Sequence, residues 1–338
     1  MTVRVGINGF GRIGRDVVRR LLEQPDSAVE VVAVNDITTA DTLAHLLAHD
    51  STYGPLHAPV QVIDSAIEAG DQVLQVTSEP EPANLPWREF GVDVVLEATG
   101  RFRTREAAAG HLTAGARKVI VSAPGKGVDA TIVLGVNEGT YEPNAHHVIS
   151  NASCTTNCLA PMIRVLHEAF GVRRGFLTTI HSYTGDQALL DRPHKDLRRA
   201  RSAAVNLIPT STGAARAIGD VIPALAGRLD GVAIRVPVED GSLTDLTVEL
   251  DQDVTPDAVN HAYKQAAEGH LKGIVRYTEA PLVSRDIIGD AASCVFDASL
   301  TKTDGHTAKV FGWYDNEWGY ACRTVELVEL VGRELARR

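Results

Sequence analysis

A cysteine near the middle of the chain has the neighbours that a nucleophile needs. The stretch Ser153-Cys154-Thr155-Thr156-Asn157-Cys158 follows an apolar run at 147–150 that predicts a strand, and it precedes apolar positions at helical spacing over 159–170. This context places Cys154 at a helix N-terminus with Ser153 as its cap, where free backbone N–H groups and the helix dipole favour a thiolate. A thiolate can attack a carbonyl carbon and form a covalent intermediate. The alternative is that Cys154 is a small buried apolar residue.

A histidine at the end of a later predicted strand is the candidate partner of this thiol. The segment 176–180 predicts the strand, and His181-Ser182-Tyr183-Thr184 follows it. Because an imidazole can accept a thiol proton, a Cys/His pair is the minimum for activating the nucleophile. A lone histidine is more commonly structural, so the pairing of His181 with Cys154 is a hypothesis at this point.

A glycine-rich turn predicts a second site. A β-branched run at 2–7 leads into Asn8-Gly9-Phe10-Gly11-Arg12-Ile13-Gly14, then an amphipathic helix, then a second strand that ends at Asn35-Asp36. Gly9 permits a tight turn, Gly11 lets the backbone approach a pyrophosphate, and Gly14 allows the helix to pack closely on the strand. The pattern predicts a dinucleotide site at the start of the helix.

Asp36 indicates which dinucleotide binds. It lies 22 residues after Gly14, near the offset of about twenty at which an acidic residue accepts hydrogen bonds from the ribose. A carboxylate there repels a 2′-phosphate, so the sequence predicts NAD rather than NADP. The turns at 97–100 and 122–125 each follow a predicted strand, and they are candidate cofactor walls or ordinary turns.

The second half of the chain offers a candidate anion site. Pro209-Thr210-Ser211-Thr212-Gly213 is a hydroxyl-rich turn before a predicted helix, and hydroxyl groups beside free N–H groups suit a phosphate. Arg235 projects from a predicted strand at 233–238 and could bind the same anion, although most sheet arginines are solvated. The basic run at 191–202 is interpreted as a solvated face, with an RNA-binding arm as the alternative.

The elements that must position these residues fall into two groups. In the first half, strands are predicted at 2–7, 29–34, 60–63, 72–76, 92–96, 118–121, 131–134 and 147–150, which we interpret as an open parallel sheet. In the second half, alternating apolar and polar residues at 246–250 indicate a half-buried antiparallel strand. We therefore expect an α/β dinucleotide-binding domain plus an α+β domain with an antiparallel sheet, whose helices lie on one side.

Length, charge and cysteine content argue against several classes of protein. The 338 residues, 44% hydrophobic and 22% charged, are enough for two globular domains, and a net charge of −10 argues against a general nucleic-acid binder. The sequence has no visible signal peptide and no apolar run of about 18 residues, so a cytoplasmic protein without a membrane span is expected. The four cysteines are too few for a disulfide framework. No second metal-binding pair accompanies Cys154 and Cys158, so no metal is expected.

Four motifs carry a resemblance to a known family. They are Asn8-Gly-Phe-Gly-Arg-Ile-Gly14, Ser150-Asn-Ala-Ser-Cys-Thr-Thr-Asn-Cys158, Pro209-Thr-Ser-Thr-Gly-Ala-Ala215 and Trp313-Tyr-Asp-Asn-Glu-Trp-Gly-Tyr320. Essentially from end to end, the chain resembles the phosphorylating glyceraldehyde-3-phosphate dehydrogenases of glycolysis. The resemblance implies a Rossmann NAD-binding domain at 1–152, completed by a C-terminal helix at 316–338. It also implies a catalytic domain at 153–315 and assembly as a homotetramer.

The resemblance further implies a mechanism and its residues. Cys154 is the nucleophile and His181 its base. Attack on D-glyceraldehyde 3-phosphate gives a hemithioacetal, hydride transfer to NAD leaves a thioester, and inorganic phosphate releases 1,3-bisphosphoglycerate. The substrate phosphate would be held by Thr184 and Arg235, and the attacking phosphate by Ser153, Thr155, Thr212 and Gly213. The matching cofactor positions are Gly9, Gly11, Arg12, Ile13, Gly14, Asp36, Ser122 and Asn316, the last of which orients the carboxamide.

The departures from the family pattern concern the cofactor. The family commonly has Arg-Asp-Pro where this chain has Pro80-Glu81-Pro82, so a side-chain contact near the adenine is missing. Arg192 stands where a leucine or glycine is usual, and its cation could approach a 2′-phosphate from the neighbouring subunit, although Pro193 resembles the NAD-specific form. The run 191–202 corresponds to the family's S-loop, which packs near a neighbouring subunit's cofactor.

Three alternatives remain beside this interpretation. The sister enzyme acting on erythrose 4-phosphate shares the cysteine motif but differs in the two segments that carry Thr184 and Thr212 here. The second alternative is a binding protein that has the dehydrogenase fold but no enzymatic activity. Such a protein would not need Cys154, His181 and Arg235 to be intact. A duplicate isoform that tolerates a thiol-directed inhibitor is suggested by the off-pattern residues at 80–82 and 192.

Overall fold

The computed structural model describes residues 2–337. Within this range the chain divides into two compact units. The first unit comprises 2–132, 139–152 and 321–337, and the second unit comprises 133–138 and 153–320.

The first unit contains strands and helices in alternation. In chain order these are β1 (Val3–Asn8), α1 (Arg12–Leu22), β2 (Val29–Asn35), α2 (Ala40–Ala48), β3 (His49–Asp50), β4 (Gly54–Pro55), β5 (Val60–Ile63), β6 (Ala66–Ala69), β7 (Gln72–Thr77), β8 (Val94–Glu97), α3 (Arg105–Ala108), α4 (Gly110–Thr113), β9 (Lys118–Val121), β10 (Ala130–Thr131) and β11 (Val148–Ser150). Strands β3 and β4 form a separate ribbon.

The first sheet has the strand order β10-β11-β9-β8-β1-β2-β7-β6-β5. The pairs from β10 to β7 are parallel, and their interior strands are buried on both faces, as apolar runs in a parallel sheet predict. The parallel sheet expected from the sequence is thus confirmed for its centre. Parallel strands end at the same edge, so Asn8, Asn35 and Glu97 come together there.

One edge of the first sheet differs from the expectation. The strands β5, β6 and β7 pair antiparallel, and β6 was not predicted. Their connections are only a few residues long, which is too short for the crossover that parallel pairing requires. The strand predicted at 131–134 is correct only for its first residue, because β10 ends at Thr131. Helix α2 was also not predicted.

The second unit contains the remaining elements. They are α5 (Cys154–Phe170), β12 (Val172–Ser182), β13 (Ile208–Ser211), α6 (Ala214–Val221), β14 (Leu229–Val236), β15 (Ser242–Leu250), α7 (Pro256–Glu268), β16 (Val275–Thr278), β17 (Cys294–Asp297), β18 (Lys302–Asp304) and β19 (Thr307–Tyr314), followed by α8 (Trp318–Ala336), most of which belongs to the first unit. Short 3-10 helices lie at Pro82–Asn84, Glu138–Thr140, Ala203–Val205, Pro223–Leu225, Ser284–Ile287 and Ala298–Leu300.

The second sheet has the strand order β13-β14-β12-β15-β19-β17-β16, with β18 beside β19. Burial alternates along β15, which confirms the predicted half-buried antiparallel strand. The sheet is antiparallel except for the pairs β12–β14 and β16–β17, which are parallel. In the core, the Tyr263 ring of α7 stacks on Phe296 at 3.7 Å, and its hydroxyl donates to the carbonyl oxygen of Met162 at 2.8 Å.

No helix within residues 2–337 combines the length and the apolar composition needed to cross a bilayer.

Candidate active site

Cys154 is the first residue of α5 and lies beside His181. The Ser153 hydroxyl accepts the Thr156 N–H at 3.1 Å, which confirms the predicted N-cap. The Cys154 Sγ atom is 3.4 Å from His181 Nε2. The structure therefore brings together the two residues that the sequence proposed as a thiol and its base.

Strand pairing places Arg235 next to this pair. Strands β12 and β14 run parallel with His181 opposite Arg235, so the two side chains are neighbours on one face. The Arg235 Nη1 atom is 2.5 Å from His181 Nδ1 and donates to the Ser182 carbonyl at 3.0 Å. Arg235 is half-buried, so the alternative of a solvated sheet arginine is wrong.

Burial dominates the protonation of the two reacting groups. It raises the pKa of the Cys154 thiol to about 11, although the Arg235 guanidinium and the Thr155 N–H act in the opposite direction. Burial, together with Arg235, lowers the pKa of His181 to about 3. The helix start and Arg235 thus favour the thiolate, as the sequence predicts, while burial opposes it.

Tyr314 supports the site and was missed in the sequence. Its hydroxyl is within 2.9 Å of the hydroxyls of Thr155 and Thr179, and its ring and the His181 ring form a T-shaped pair with centroids 5.9 Å apart. Tyr314 belongs to the motif at 313–320, but the motif does not indicate these contacts, because they depend on β19 lying near α5 and β12. The Thr155 side chain is therefore anchored in the core.

The remaining phosphate candidates lie in turns of the second unit. The Thr184 hydroxyl donates to Asp186, and the Thr184 N–H donates to Gln187 Oε1 at 3.1 Å. Thr212 Oγ1 accepts the Ala214 N–H at 3.2 Å, and Gly213 is the N-cap residue of α6. These side chains engage neighbours in their own turns.

Arg199 links the two turns that carry the candidate phosphate-binding residues Thr184 and Thr212. It donates to Asp186 at 2.7 Å and to Thr210 at 3.0 Å. The basic run at 191–202 is therefore not a purely solvated face, because one of its arginines is partly buried between these turns.

Asn316 follows β19 in the second unit and is buried. Its Oδ1 atom accepts hydrogen bonds from the hydroxyls of Ser182 at 2.9 Å and Ser242 at 2.6 Å. The sequence singled out Asn316 only by resemblance and missed both serines.

The first unit holds a cavity of about 230 Å³ at the carboxyl edge of its sheet. Its lining includes the predicted Gly9, Gly11 and Asp36, and also Asn8 and Asn35, to which the sequence gave no role in the site. The turn at 97–100 contributes to the wall, whereas the lining contains no residue of the turn at 122–125. The off-pattern Pro80 also lines this cavity.

The three glycines meet the steric demands predicted for them. Gly9 has φ of +96°, and a Cβ there would lie 2.6 Å from the Thr99 nitrogen. A Cβ at Gly14 would lie 2.5 Å from the Gly9 oxygen, which leaves no room for a side chain between α1 and β1. At Gly11 nothing lies within 4 Å, so the backbone there is open to a ligand.

Asp36 is turned toward the glycine-rich turn, where its Oδ2 atom accepts the Phe10 N–H at 2.8 Å. The other predicted cofactor positions of the first unit lie outside the cavity lining. Arg12 forms an ion pair with Asp50, and Ser122 donates to the Glu97 carbonyl at 3.1 Å. Ile13 lies in the first turn of α1.

A buried polar network supports the cavity floor. Glu97 accepts hydrogen bonds from Asn8 at 2.6 Å and from the Thr99 N–H at 2.8 Å. His111 Nδ1 accepts the Trp87 indole N–H at 2.9 Å, so the Nε2 atom carries the proton and donates to Glu97 at 3.0 Å. Both oxygens of the Glu97 carboxylate therefore accept hydrogen bonds, and these bonds hold Asn8 and Thr99 in place.

Within residues 2–337, no group of three or more His, Cys, Asp or Glu side chains is arranged to hold a metal ion.

Comparison with known proteins gives consistent matches over both units. Residues 3–105 match the family model described as the NAD binding domain of glyceraldehyde 3-phosphate dehydrogenase, and residues 153–316 match its C-terminal domain. The chain is 58% identical over 332 residues to a glyceraldehyde-3-phosphate dehydrogenase of Geobacillus stearothermophilus, covering 98% of each chain. It is 56% identical to the enzymes of that name from Streptomyces coelicolor and Mycobacterium avium, covering 99% of this chain and 100% of each relative.

Proposed function

The chain belongs to the glyceraldehyde-3-phosphate dehydrogenase family, and on that premise we propose that it oxidises and phosphorylates D-glyceraldehyde 3-phosphate with NAD. The observation that carries the proposal is the 3.4 Å approach of Cys154 Sγ to His181 Nε2 beside Arg235. The names of the relatives favour this substrate over erythrose 4-phosphate.

The first step joins the thiol to the aldehyde. The Cys154 sulfur bonds to the carbonyl carbon while its proton passes to His181 Nε2. This nitrogen can accept it because the imidazole is neutral, its pKa being lowered to about 3, and because Nδ1 carries the ring proton toward the Ser182 carbonyl oxygen, 2.8 Å away. His181 then returns the proton to the new alkoxide, which gives a hemithioacetal. The 3.4 Å separation of the two atoms suits both transfers.

The second step leaves an acyl group on the sulfur. Bound NAD supplies the acceptor for the hydride. His181 removes the hydroxyl proton of the hemithioacetal, so that a thioester of Cys154 remains. Inorganic phosphate attacks the thioester carbon, and the C–S bond breaks to return the thiolate and release 1,3-bisphosphoglycerate.

Two anions must be held near one sulfur. We assign the substrate phosphate to Thr184 and Arg235, because a half-buried guanidinium is a strong partner for a phosphate. We assign the attacking phosphate to Ser153, Thr155, Thr212 and Gly213, where the starts of α5 and α6 supply N–H groups.

The cofactor fits the first unit. The open backbone at Gly11, the close packing at Gly14 and the Asp36 carboxylate are what a dinucleotide with a free 2′-hydroxyl requires. Arg12, Ile13, Ser122 and Asn316 are assigned to the cofactor by resemblance. Arg192 is exposed, and its cation is the feature that could weaken the preference for NAD.

We also propose a homotetramer with a Rossmann domain at 1–152, completed by the helix at 316–338, and a catalytic domain at 153–315. A cytoplasmic location suits the enzyme because its four cysteines are free, and a nucleophilic thiol must stay reduced.

The test is a spectrophotometric assay. With glyceraldehyde 3-phosphate and inorganic phosphate, the reduced-nicotinamide absorbance should rise with NAD and much more slowly with NADP, and Cys154→Ser should abolish the rise. A rate that does not depend on phosphate would refute the phosphorylating step, and equal rates with both cofactors would refute the NAD preference.

A further inference from the structure

Three strand ends meet at Asn316. Strand β12 ends at Ser182, and β15, its antiparallel neighbour, begins at Ser242. Strand β19 pairs Tyr314 with Ser242, and Asn316 follows two residues later. The amide of Asn316 is therefore surrounded by groups that strand register fixes in space.

Two serine hydroxyls donate hydrogen bonds to the same oxygen of this amide. The Ser182 N–H donates to Ser242 Oγ at 3.1 Å, so the Ser242 hydroxyl keeps its own proton for Asn316 Oδ1, 2.6 Å away. The Ser182 hydroxyl donates to the same oxygen at 2.9 Å. Both lone pairs of Oδ1 are then occupied. In this orientation Oδ1 is the atom of the amide that faces the two hydroxyls.

This network is protected from solvent. Ser182 and Ser242 are fully buried, and Asn316 is 5% exposed. Buried polar groups are costly to leave without a hydrogen bond, so the Asn316 side chain stays engaged with both hydroxyls. The Nδ2 atom is left as the donor that the side chain presents to a ligand.

We propose that Ser182 and Ser242 are positioning residues for the cofactor, which fix the Asn316 amide so that its N–H groups meet the carbonyl of the nicotinamide carboxamide. The inference rests on the proposed function, in which Asn316 orients that group. Ser182 also directly follows His181, so the backbone that carries the base carries one of the two serine hydroxyls. The end of β12 therefore positions both the base, His181, and one of the two hydroxyls that hold Asn316.

The experiment measures binding to the cofactor-free full-length protein by titration calorimetry. The ligands are NAD and ADP-ribose, which lacks the nicotinamide. In Ser182→Ala/Ser242→Ala, NAD affinity should fall by roughly tenfold, the value of about one hydrogen bond, and ADP-ribose affinity should stay unchanged. Retained ADP-ribose binding also shows that the variant is folded, and the single variants give the same comparison if the double variant does not fold.

A matched control is Ser293→Ala. Ser293 is a buried serine of the same unit whose hydroxyl has no partner among residues 2–337, and its loss should change neither affinity. Asn316→Ala should lower NAD affinity, and adding the serine substitutions to it should cause no further loss, because the serines act through Asn316.

Two results would overturn the inference. One is an equal loss of NAD and ADP-ribose affinity, which would make the serines merely structural. The other is an unchanged NAD affinity in the folded double variant. Either result leaves the proposed function intact if the wild-type protein still oxidises glyceraldehyde 3-phosphate, whereas failure of that reaction in the wild type would remove the proposed function itself.

Discussion

At the scale of single residues, Thr244 carries a hydroxyl without a partner among residues 2–337. The residue is fully buried on β15, and a buried hydroxyl without a hydrogen bond costs about 1–3 kcal/mol. Valine has the same shape without the polar atom. Thr244→Val should therefore raise the thermal midpoint of unfolding by a few degrees, as measured by scanning fluorimetry at fixed protein concentration.

The control for this substitution lies on the same strand. Thr247 is on the half-exposed face of β15, so Thr247→Val should leave the midpoint nearly unchanged. A lower midpoint for Thr244→Val would mean that the hydroxyl is satisfied by a buried water.

His181 is the residue on which the proposed chemistry depends most directly. Since a positioned general base contributes roughly 10²–10⁴-fold, His181→Asn should lower kcat by that factor. The cavity of the first unit is unchanged, so the dissociation constant for NAD should remain the same. Steady-state kinetics and calorimetry separate the two effects. The matching variant is His270→Asn, an exposed histidine of the same unit, which should keep full activity.

At the scale of elements, the sequence predicts the features that depend on interactions between residues close together in the chain. Ser153 caps α5 and β15 alternates in burial, and both follow from residues next to one another. The contact of His181 with Arg235 joins residues 54 positions apart and exists only because β12 and β14 pair in parallel. No periodicity in the sequence encodes that pairing, and the same holds for Tyr314 and for the two serines at Asn316.

The turn that precedes β15 carries a carboxyl group in an unfavourable environment. Asp240 is fully buried, and burial together with the neighbouring Asp315 raises its pKa to about 9. The native state therefore holds a proton that the unfolded chain, with a pKa near 3.8, releases. This proton linkage makes the native state less stable as pH rises from about 4 to about 9.

Asp240→Asn removes this linkage while keeping a hydrogen-bond donor for Asp315. The variant should unfold at a higher temperature than the wild type, and the difference should grow between pH 6 and pH 9. Thermal midpoints across that range measure it. A difference that is constant with pH, or that shrinks toward pH 9, would contradict a raised pKa at this carboxyl. Asp230→Asn, on an exposed position of β14, is the control and should show no such trend.

At the scale of the whole molecule, the segment 189–207, which contains the S-loop, leaves apolar side chains exposed. Leu190 and Leu197 are 76% and 80% exposed, and Leu189, Val205 and Leu207 are also exposed along the same segment. Single exposed apolar residues are ordinary, but five in one segment of 19 residues are typical of a surface that another chain covers. This supports the proposed homotetramer.

A charge introduced into this segment should therefore act on assembly and not on the folding of the single chain. Leu190→Asp/Leu197→Asp should reduce the mass of the particle measured by light scattering, because burying a carboxylate between subunits carries a desolvation cost. Within one chain both side chains already face solvent, so the far-ultraviolet circular dichroism should not change. Val283→Asp places the same charge on an exposed residue of the same unit outside the segment and should leave the mass unchanged. If the double variant kept the wild-type mass, the segment 189–207 would not form the interface, and the approach of Arg192 to a neighbouring cofactor would lose its basis.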